Sequence, residues 1–250
     1  MKEVGLRPGE RIDRLYSNHI QIIQSDEVFA FSLDAVLLAA FADVKRSAKA
    51  RIVDLCAGNG AVGLFLSQKT HGQITEVEIQ ARLCDMAHRS VQLNQLEKQI
   101  AVVHADLKDS LQYFAKESVD AVTVNPPYFP VQATSKKNPN PYLAIARHEL
   151  KTNLDEVIAT ASALLKTGGK LFLVHRPDRL PEILAKLQAN RLAPKELQFV
   201  QPRADQDANM VLIAARKDGQ VAGLKVKPTI VVYDEGEYTP LIQELLYGNR

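Results

Sequence analysis

The chain predicts an α/β fold built on a doubly wound, mostly parallel sheet. Three observations carry that expectation. From Arg51 onward, short apolar runs alternate with amphipathic helical stretches, the pattern of repeated βα units. One run opens directly into a glycine-rich turn and a helix, Ala57-Gly58-Asn59-Gly60-Ala61-Val62-Gly63, which is the strand, loop and helix context of a nucleotide-type site. Another run ends abruptly at Val124-Asn125-Pro126-Pro127-Tyr128, and in open α/β sheets that end of a strand is where ligands are met.

The 250 residues contain 46% hydrophobic and 24% charged side chains, ordinary for a chain that buries a full core. A net charge of +2 does not announce a nucleic-acid partner by itself, so only local clustering of basic residues points to one. Cys56 and Cys84 lack the paired spacing of a metal site or a disulfide framework, which predicts a reduced protein without a metal. The N-terminus has no apolar signal segment and no run approaches membrane-spanning length, so a cytoplasmic location without membrane partners is expected.

Residues 1–18 are polar and basic, with Arg7, Arg11 and Arg14 around Pro8-Gly9, and read as a surface lead-in. Two β-prone runs, 20–24 and 28–31, flank the polar Ser25-Asp26-Glu27 and predict a hairpin. Ser32 is a candidate cap for a helix over 33–41, with Asp34 in its first turn where a carboxylate is favoured. Hairpin and helix together read either as packing or as a lid over a ligand. Residues 51–56 form the first core strand, and the glycine loop leads into a helix through Leu64, Phe65 and Leu66. A second strand over 74–79 precedes an amphipathic helix over 80–94, with Leu83, Met86, Ala87, Val91 and Leu93 largely on one side. The third strand is 100–104, and a helical or irregular link over 108–116 precedes the strand 118–124. After a long loop, Asn153 with Glu156 resembles a capping box for a helix over 154–165, stopped by Gly168-Gly169. Strand 170–174, helix 181–189 and strands 196–200 and 210–215 follow, making a seven-stranded sheet. Residues 229–233 are a candidate extra edge strand and 240–247 a terminal helix. With no repeat and no linker, the chain reads as one domain: a hairpin and lid helix over 1–45, a core over 46–216 and an edge extension over 217–250.

The residues at the two loops define a chemistry. The Asn125 amide oxygen can accept one N–H of a planar substrate's amino group, and the Pro126 carbonyl can accept the other, because consecutive prolines fix the backbone and bring no competing N–H. Holding both hydrogens aims the nitrogen lone pair at an electrophile, and Tyr128 offers a face for a ring to stack on. The same residues also read as a rigid strand-to-turn connection, since Asn-Pro and Pro-Pro are common loop punctuation. Gly58, Gly60 and Gly63 satisfy the G-x-G-x-x-G spacing, and Glu78 follows the first glycine by about 20 residues, where an acid can hold both hydroxyls of a ribose. Nicotinamide and flavin dinucleotides fit that spacing too. Asp54 inside its strand, with Asp106 and Asn125 at successive strand ends, suits a sulfonium cofactor carrying a cation and an amino-acid tail better than a pyrophosphate. Asp54 bonding the backbone amides of its own turn is the structural reading of that residue.

In order and spacing, Asp54-Leu55-Cys56-Ala57-Gly58-Asn59-Gly60, Glu78, Asp106 and Asn125-Pro126-Pro127-Tyr128 resemble class I S-adenosylmethionine-dependent methyltransferases of the amino-methylating branch. The resemblance spans roughly residues 31–216. Phe31-Ser32-Leu33-Asp34-Ala35-Val36-Leu37-Leu38, Val77-Glu78-Ile79-Gln80 and Ala146-Arg147-His148-Glu149 narrow it to bacterial tRNA adenine-N6 methyltransferases that act beside the anticodon of a valine tRNA. It implies a Rossmann-like core with a small N-terminal extension. By the same resemblance Gly58, Asn59 and Gly60 would wrap the methionine portion of S-adenosylmethionine with Asp54 beneath, Glu78 would bind the ribose, and Asp106 with Leu107 would frame the adenine. Phe31, Asp34, Ala57, Gly63, Ile79 and Asn125 complete the implied cofactor set, and Asn125, Pro126, Pro127 and Tyr128 the catalytic one.

Downstream, Lys136, Lys137, Arg147 and Lys151 face only Glu149 in acidic charge over 131–151. That stretch reads as a clamp on RNA phosphates or as a solvated surface loop, and Arg176 and Arg179 would extend a basic rim. His148 is a structural histidine or a substrate contact. RNA, tRNA foremost, is the expected partner. The competing functions are glutamine-amide methylation of a release factor, guanine-N2 methylation of ribosomal RNA, a nicotinamide-dependent reductase, and a cofactor-binding RNA-assembly module without catalysis. The first normally needs a helical N-terminal domain, and only about 30 residues precede the front helix here.

Overall fold

The computed structural model describes residues 4–15, 20–28, 33–130 and 141–248. Strand β1 (Glu10–Leu15) pairs antiparallel with β2 (Ile20–Ser25), and α1 (Leu33–Phe41) follows. The βα units come next: β3 (Arg51–Leu55), α2 (Ala61–Leu66), β4 (Gln73–Glu78), α3 (Ala81–Leu93), β5 (Ile100–His104), a short α4 (Ser110–Tyr113) and β6 (Val119–Val124). Beyond lie α5 (Pro141–Arg147), α6 (Leu154–Leu164), β7 (Leu165–His175), α7 (Leu180–Ala189), β8 (Leu192–Gln201), β9 (Met210–Lys217) and β10 (Lys225–Val231). A two-residue ladder, β11 (Tyr233–Asp234) with β12 (Glu237–Tyr238), leads to α8 (Pro240–Tyr247).

The main sheet has the order β10-β8-β9-β7-β6-β3-β4-β5. Only β9 runs against its neighbours, pairing antiparallel with β7 and β8. The chain winds outward from β3 through β4 to β5 and then returns to lay β6 on the other side of β3. The crevice between the carboxyl ends of β3 and β6 is therefore the topological switch point, the place where such sheets take ligands.

Alternation along the strands fills two cores. Ile52, Ile74, Ala121 and Phe172 face α1, α2 and α8, while Val53, Val122, Leu171 and Ile213 face α6 and α7, as period-2 side chains must. Helix α1 buries Ala35 to Ala39 in the first of these cores, so it is a packed layer of the fold, and only its first turn approaches the switch point.

Four expectations change. The hairpin joins β2 to residues upstream of it: β1 lies in the stretch read as a surface lead-in, and 29–31 fall outside the described residues, as does Ser32. Arg89 explains this. Its guanidinium grips both carboxylate oxygens of Glu10, whose side chain is covered, at 2.7 Å and also pairs with Asp85, which Arg7 contacts in turn, so charges that looked solvated hold the strand to α3. Gly168-Gly169 do not stop α6, which ends at Leu164 where β7 begins. They lie in a register shift between the Val119–Leu165 and Ala121–Lys170 pairs, with Gly168 at φ 77°, a conformation glycine adopts without strain. The sheet has eight strands, the eighth being the candidate edge strand, shifted N-terminally to Lys225–Val231 and parallel to β8. The capping box of Asn153 and Glu156 forms as expected. No helix among the described residues is long and apolar enough to cross a membrane.

Candidate active site

The loop leaving β3 turns sharply. Cys56 adopts φ 56° and Gly58 and Gly60 adopt φ 59° and 86°, the left-handed region that favours glycine. Bonds from Ala57 N to Val77 O and from Gly60 N to Ala57 O fold the loop back on itself. Its glycines serve different ends. Gly58 has open space where a Cβ would be, and its N–H donates to Glu78 Oε2 at 2.8 Å. At Gly60 and Gly63, an added Cβ would lie 2.7 and 2.1 Å from the carboxylate of Glu76. These two positions are small because a buried acid lies against them.

Glu76 is fully buried beside Asp54, its partner in the β3–β4 register. Neither oxygen of Glu76 has a hydrogen-bond partner among the described residues, and nor does Asp54 Oδ2. Burial, with the charge of Asp54, pushes the Glu76 carboxyl well above the usual carboxylate range. Asp54 is pushed up to about 7 by burial and by Glu78, against a lowering hydrogen bond from Thr123. That bond, Thr123 Oγ1 to Asp54 Oδ1 at 2.7 Å, corrects the expectation that Asp54 binds the amides of its own turn: the partner is on the neighbouring strand β6. Thr123 and Glu76 were not visible as site residues, because a Thr in an apolar run and an acid two places before Glu78 carry no distinguishing spacing.

Glu78 ends β4 with Oε2 accepting from Gly58 N and Oε1 from Gln80 N, both at 2.8 Å, and the Ile79 N–H also acts on its carboxylate. Burial raises its pKa while these N–H bonds lower it. A carboxylate has about four lone-pair sites, so acceptor capacity remains for a further donor. Asp106 caps the short turn after β5 by accepting from Lys108 N at 3.0 Å.

Strand β6 delivers Asn125-Pro126-Pro127-Tyr128 at the opposite lip of the crevice. The Tyr128 hydroxyl lies 2.6 Å from Asn125 Oδ1 and 2.7 Å from Asp34 Oδ2 in the first turn of α1. Its ring lies against His175 at the end of β7, centroids 5.1 Å apart and tilted by 52°. Tyr128 is thus tethered at its hydroxyl and flanked on its ring, instead of standing free as a stacking platform. Burial and the neighbouring Asp34 raise its pKa well above the usual phenol range. His175 is fully buried; burial and Arg179 depress it to about 4, and its Nδ1 accepts from Arg176 N at 2.8 Å, which leaves a neutral ring protonated on Nε2.

One cleft joins these loops. It is lined by Ala57, Gly58, Asn59, Glu78, Ile79, Asp106, Leu107, Asn125 and Pro127 among the residues expected from sequence. Asp54 is buried near the end of β3; Gly60 and Gly63 back onto Glu76; Tyr128 and Asp34 are not among the lining residues and connect to the cleft through Asn125. Pro126 is buried behind it. Asn59 also donates Nδ2–H to Ile23 O at 3.1 Å, fastening the β1–β2 hairpin to the glycine loop. His148 pairs by its backbone with Phe129 and packs its ring 5.8 Å from the phenyl, and Arg147 closes α5. Phe31, Lys136 and Lys137 fall outside the described residues. The sequence missed Gln80 and Thr152, which line the cleft, each with a buried side-chain oxygen that has no partner among the described residues. Nor does any group of three or more His, Cys, Asp or Glu among those residues form a metal site.

The cleft offers a carboxylate for vicinal hydroxyls, the apolar Leu107 and Ile79 for a flat ring, and an amide beyond them for an amino group. Comparison with known proteins agrees with that chemistry. The family described as methyltransferase small domain matches residues 20–192. A Dyadobacter fermentans protein named tRNA1(Val) (adenine(37)-N6)-methyltransferase is 29% identical, the match covering 85% of this chain and 87% of that protein. A Shewanella protein of the same name is 25% identical, over 86% and 89%. Among solved structures, a predicted O-methyltransferase from Agrobacterium tumefaciens superposes with a TM-score of 0.67 at 27% identity, covering 85% of this chain and 94% of that one.

Proposed function

The chain belongs to the methyltransferase small domain family, and from that premise we propose that it transfers the methyl group of S-adenosylmethionine to the exocyclic N6 of an adenine in tRNA, at the position beside the anticodon that its relatives' name specifies. One observation carries the reading: Glu78 and Asn125, from strands on either side of the switch point strand β3, line the same cleft.

The residues fit that cofactor. Glu78, positioned by two backbone N–H groups, keeps acceptor capacity for two ribose hydroxyls. Leu107 and Ile79 flank the place of an adenine, with Asp106 at its edge, and Gly58 admits close backbone approach. When bound, S-adenosylmethionine supplies an electrophilic methyl on a sulfonium centre. The chain's own part is positioning. Asn125 and the Pro126 carbonyl accept the two N–H bonds of the target amine, which aligns its lone pair, and effective concentration with fixed dipoles provides the acceleration. The proton leaves after transfer, so no strong base is needed. Lys151, at the cleft, and Arg176, whose guanidinium lies 5.3 Å over the half-exposed Phe129 ring, supply charge for the phosphates of the RNA. Such a substrate places the protein in the cytoplasm.

The test is Asn125→Ala. Methyl transfer should fall at least about 100-fold, the scale of removing an oriented catalytic dipole, while S-adenosylhomocysteine affinity by calorimetry stays within a few-fold. Full turnover by this variant contradicts the mechanism.

A further inference from the structure

The hydroxyl of Tyr128 has one proton, yet it lies 2.7 Å from Asp34 Oδ2 and 2.6 Å from Asn125 Oδ1. A single proton cannot satisfy two acceptors on separate groups at those distances, and two oxygens 2.6 Å apart without a hydrogen between them repel. Oxygen and nitrogen of an amide are nearly isosteric, and the surrounding hydrogen bonds decide which occupies which place. A half-turn of the Asn125 amide removes the conflict. We propose that Asp34 sets the polarity of the catalytic amide: Tyr128 donates its proton to the Asp34 carboxylate, its oxygen accepts an N–H from Asn125, and the Asn125 carbonyl oxygen is left facing the cleft.

The direction of the chain follows from strength. An O–H donated to a carboxylate is a charge-assisted bond, roughly twice as strong as one donated to a neutral amide. The buried tyrosine keeps its proton, because burial and the nearby Asp34 both oppose its ionisation. The consequence rests on the reading above, in which the amine is held by an Asn125 oxygen. In the opposite orientation Asn125 would present N–H donors to an amine that itself needs acceptors, and the site would repel its substrate. Asp34 is then a positioning residue acting through Tyr128 from an element, α1, whose packed core layer fixes it. It touches no reacting atom.

Two experiments test this, and the first needs no substrate. In unliganded protein labelled with 15N-asparagine, the Asn125 side-chain signal, identified by its loss in Asn125→Ser, should have one amide proton slow to exchange with solvent, and that protection should vanish in Tyr128→Phe. Two rapidly exchanging protons in the unsubstituted protein overturn the proposal whatever the substrate proves to be. The second is kinetic. Asp34→Asn and Tyr128→Phe should each lower kcat on the order of tenfold or more with KM for the cofactor little changed, the mark of a misaligned catalytic group. The double variant should be no slower than either single one, because residues acting in series are not additive. Multiplying losses overturn the proposal, and so does an Asp34→Asn enzyme with full kcat; unchanged melting of the isosteric Asp34→Asn variant separates this from a folding defect. If the unsubstituted enzyme methylates no nucleic acid while the amide signal behaves as expected, the function has failed and the hydrogen-bond chain stands.

Discussion

Gly63→Ala tests the geometry under the glycine loop, because two effects of known sign oppose each other there. Gly63 is in the first turn of α2, at a helical φ, and helix propensity alone favours alanine over glycine by about 1 kcal/mol. Against this, a Cβ at residue 63 would lie 2.1 Å from Glu76 Oε1, 2.9 Å from Cδ and 3.1 Å from Cγ. Glu76 is fully buried, so its side chain, α2 or β4 must shift to make room. Overpacking of a filled core costs about 1–3 kcal/mol. The net expectation is a loss of up to about 2 kcal/mol, which for a chain of this length lowers the melting midpoint by up to roughly 8 °C. In a Glu76→Ala background the obstacle is gone and the sign should invert, with alanine at 63 stabilising by up to about 1 kcal/mol. Thermal melts of the four proteins without cofactor close the cycle. An equal cost in both backgrounds would refute the assignment of Gly63 to packing against Glu76.

Further expectations follow from the same site and its supports. Asp54, raised to about 7 from 3.8, binds a proton in the folded state that the unfolded chain has lost, so its contribution is complete below pH 3.8 and disappears as pH rises through about 7. About three units correspond to about 4 kcal/mol as an upper figure, and Asp54→Asn should flatten that part of the stability profile in denaturant titrations run from pH 4 to 8. Glu78→Gln sets an amide N–H against a backbone N–H, and leaving one donor unsatisfied costs about 1–3 kcal/mol, so S-adenosylhomocysteine affinity should fall by roughly 5- to 150-fold while kcat at saturating cofactor changes less. Arg89→Leu strands the buried Glu10 carboxylate, and hydrogen exchange should show β1 losing protection while β3 and β6 keep theirs.

What the sequence made legible followed the source of each residue's constraint. Strand β5 (Ile100–His104) and helix α8 (Pro240–Tyr247) were read with their observed bounds, and β4 and β6 to within a residue, because their apolar period is set by burial in the sheet. The strand ends bearing Glu78, Asp106 and Asn125 were legible for the same reason: topology alone brings carboxyl ends of parallel strands to one edge. Features defined by partners distant in sequence were not. The charged β1 pairs with β2 and is tied to α3 by Arg89, nearly eighty residues away, which neutralises Glu10. Gly168-Gly169 look like a helix stop, and only the pairing of β7 with β6 shows them absorbing a register shift. The tether of Tyr128 to Asp34 spans 94 positions, and no local pattern encodes it. The motif residues stand out in the sequence and the neighbours that orient them do not, since orientation is a property of tertiary contacts.

The substrate is defined by the nitrogen that receives the methyl group. Tritiated S-adenosylmethionine offered with the purified protein to unmodified total tRNA, ribosomal RNA and release factor in parallel, followed by nucleoside and peptide mass analysis, identifies it directly. Label recovered as N6-methyladenosine in the tRNA fraction is the expected result. Label in the release factor as methylglutamine, or in ribosomal RNA as N2-methylguanosine, would preserve the fold and the amine-holding chemistry while contradicting the substrate.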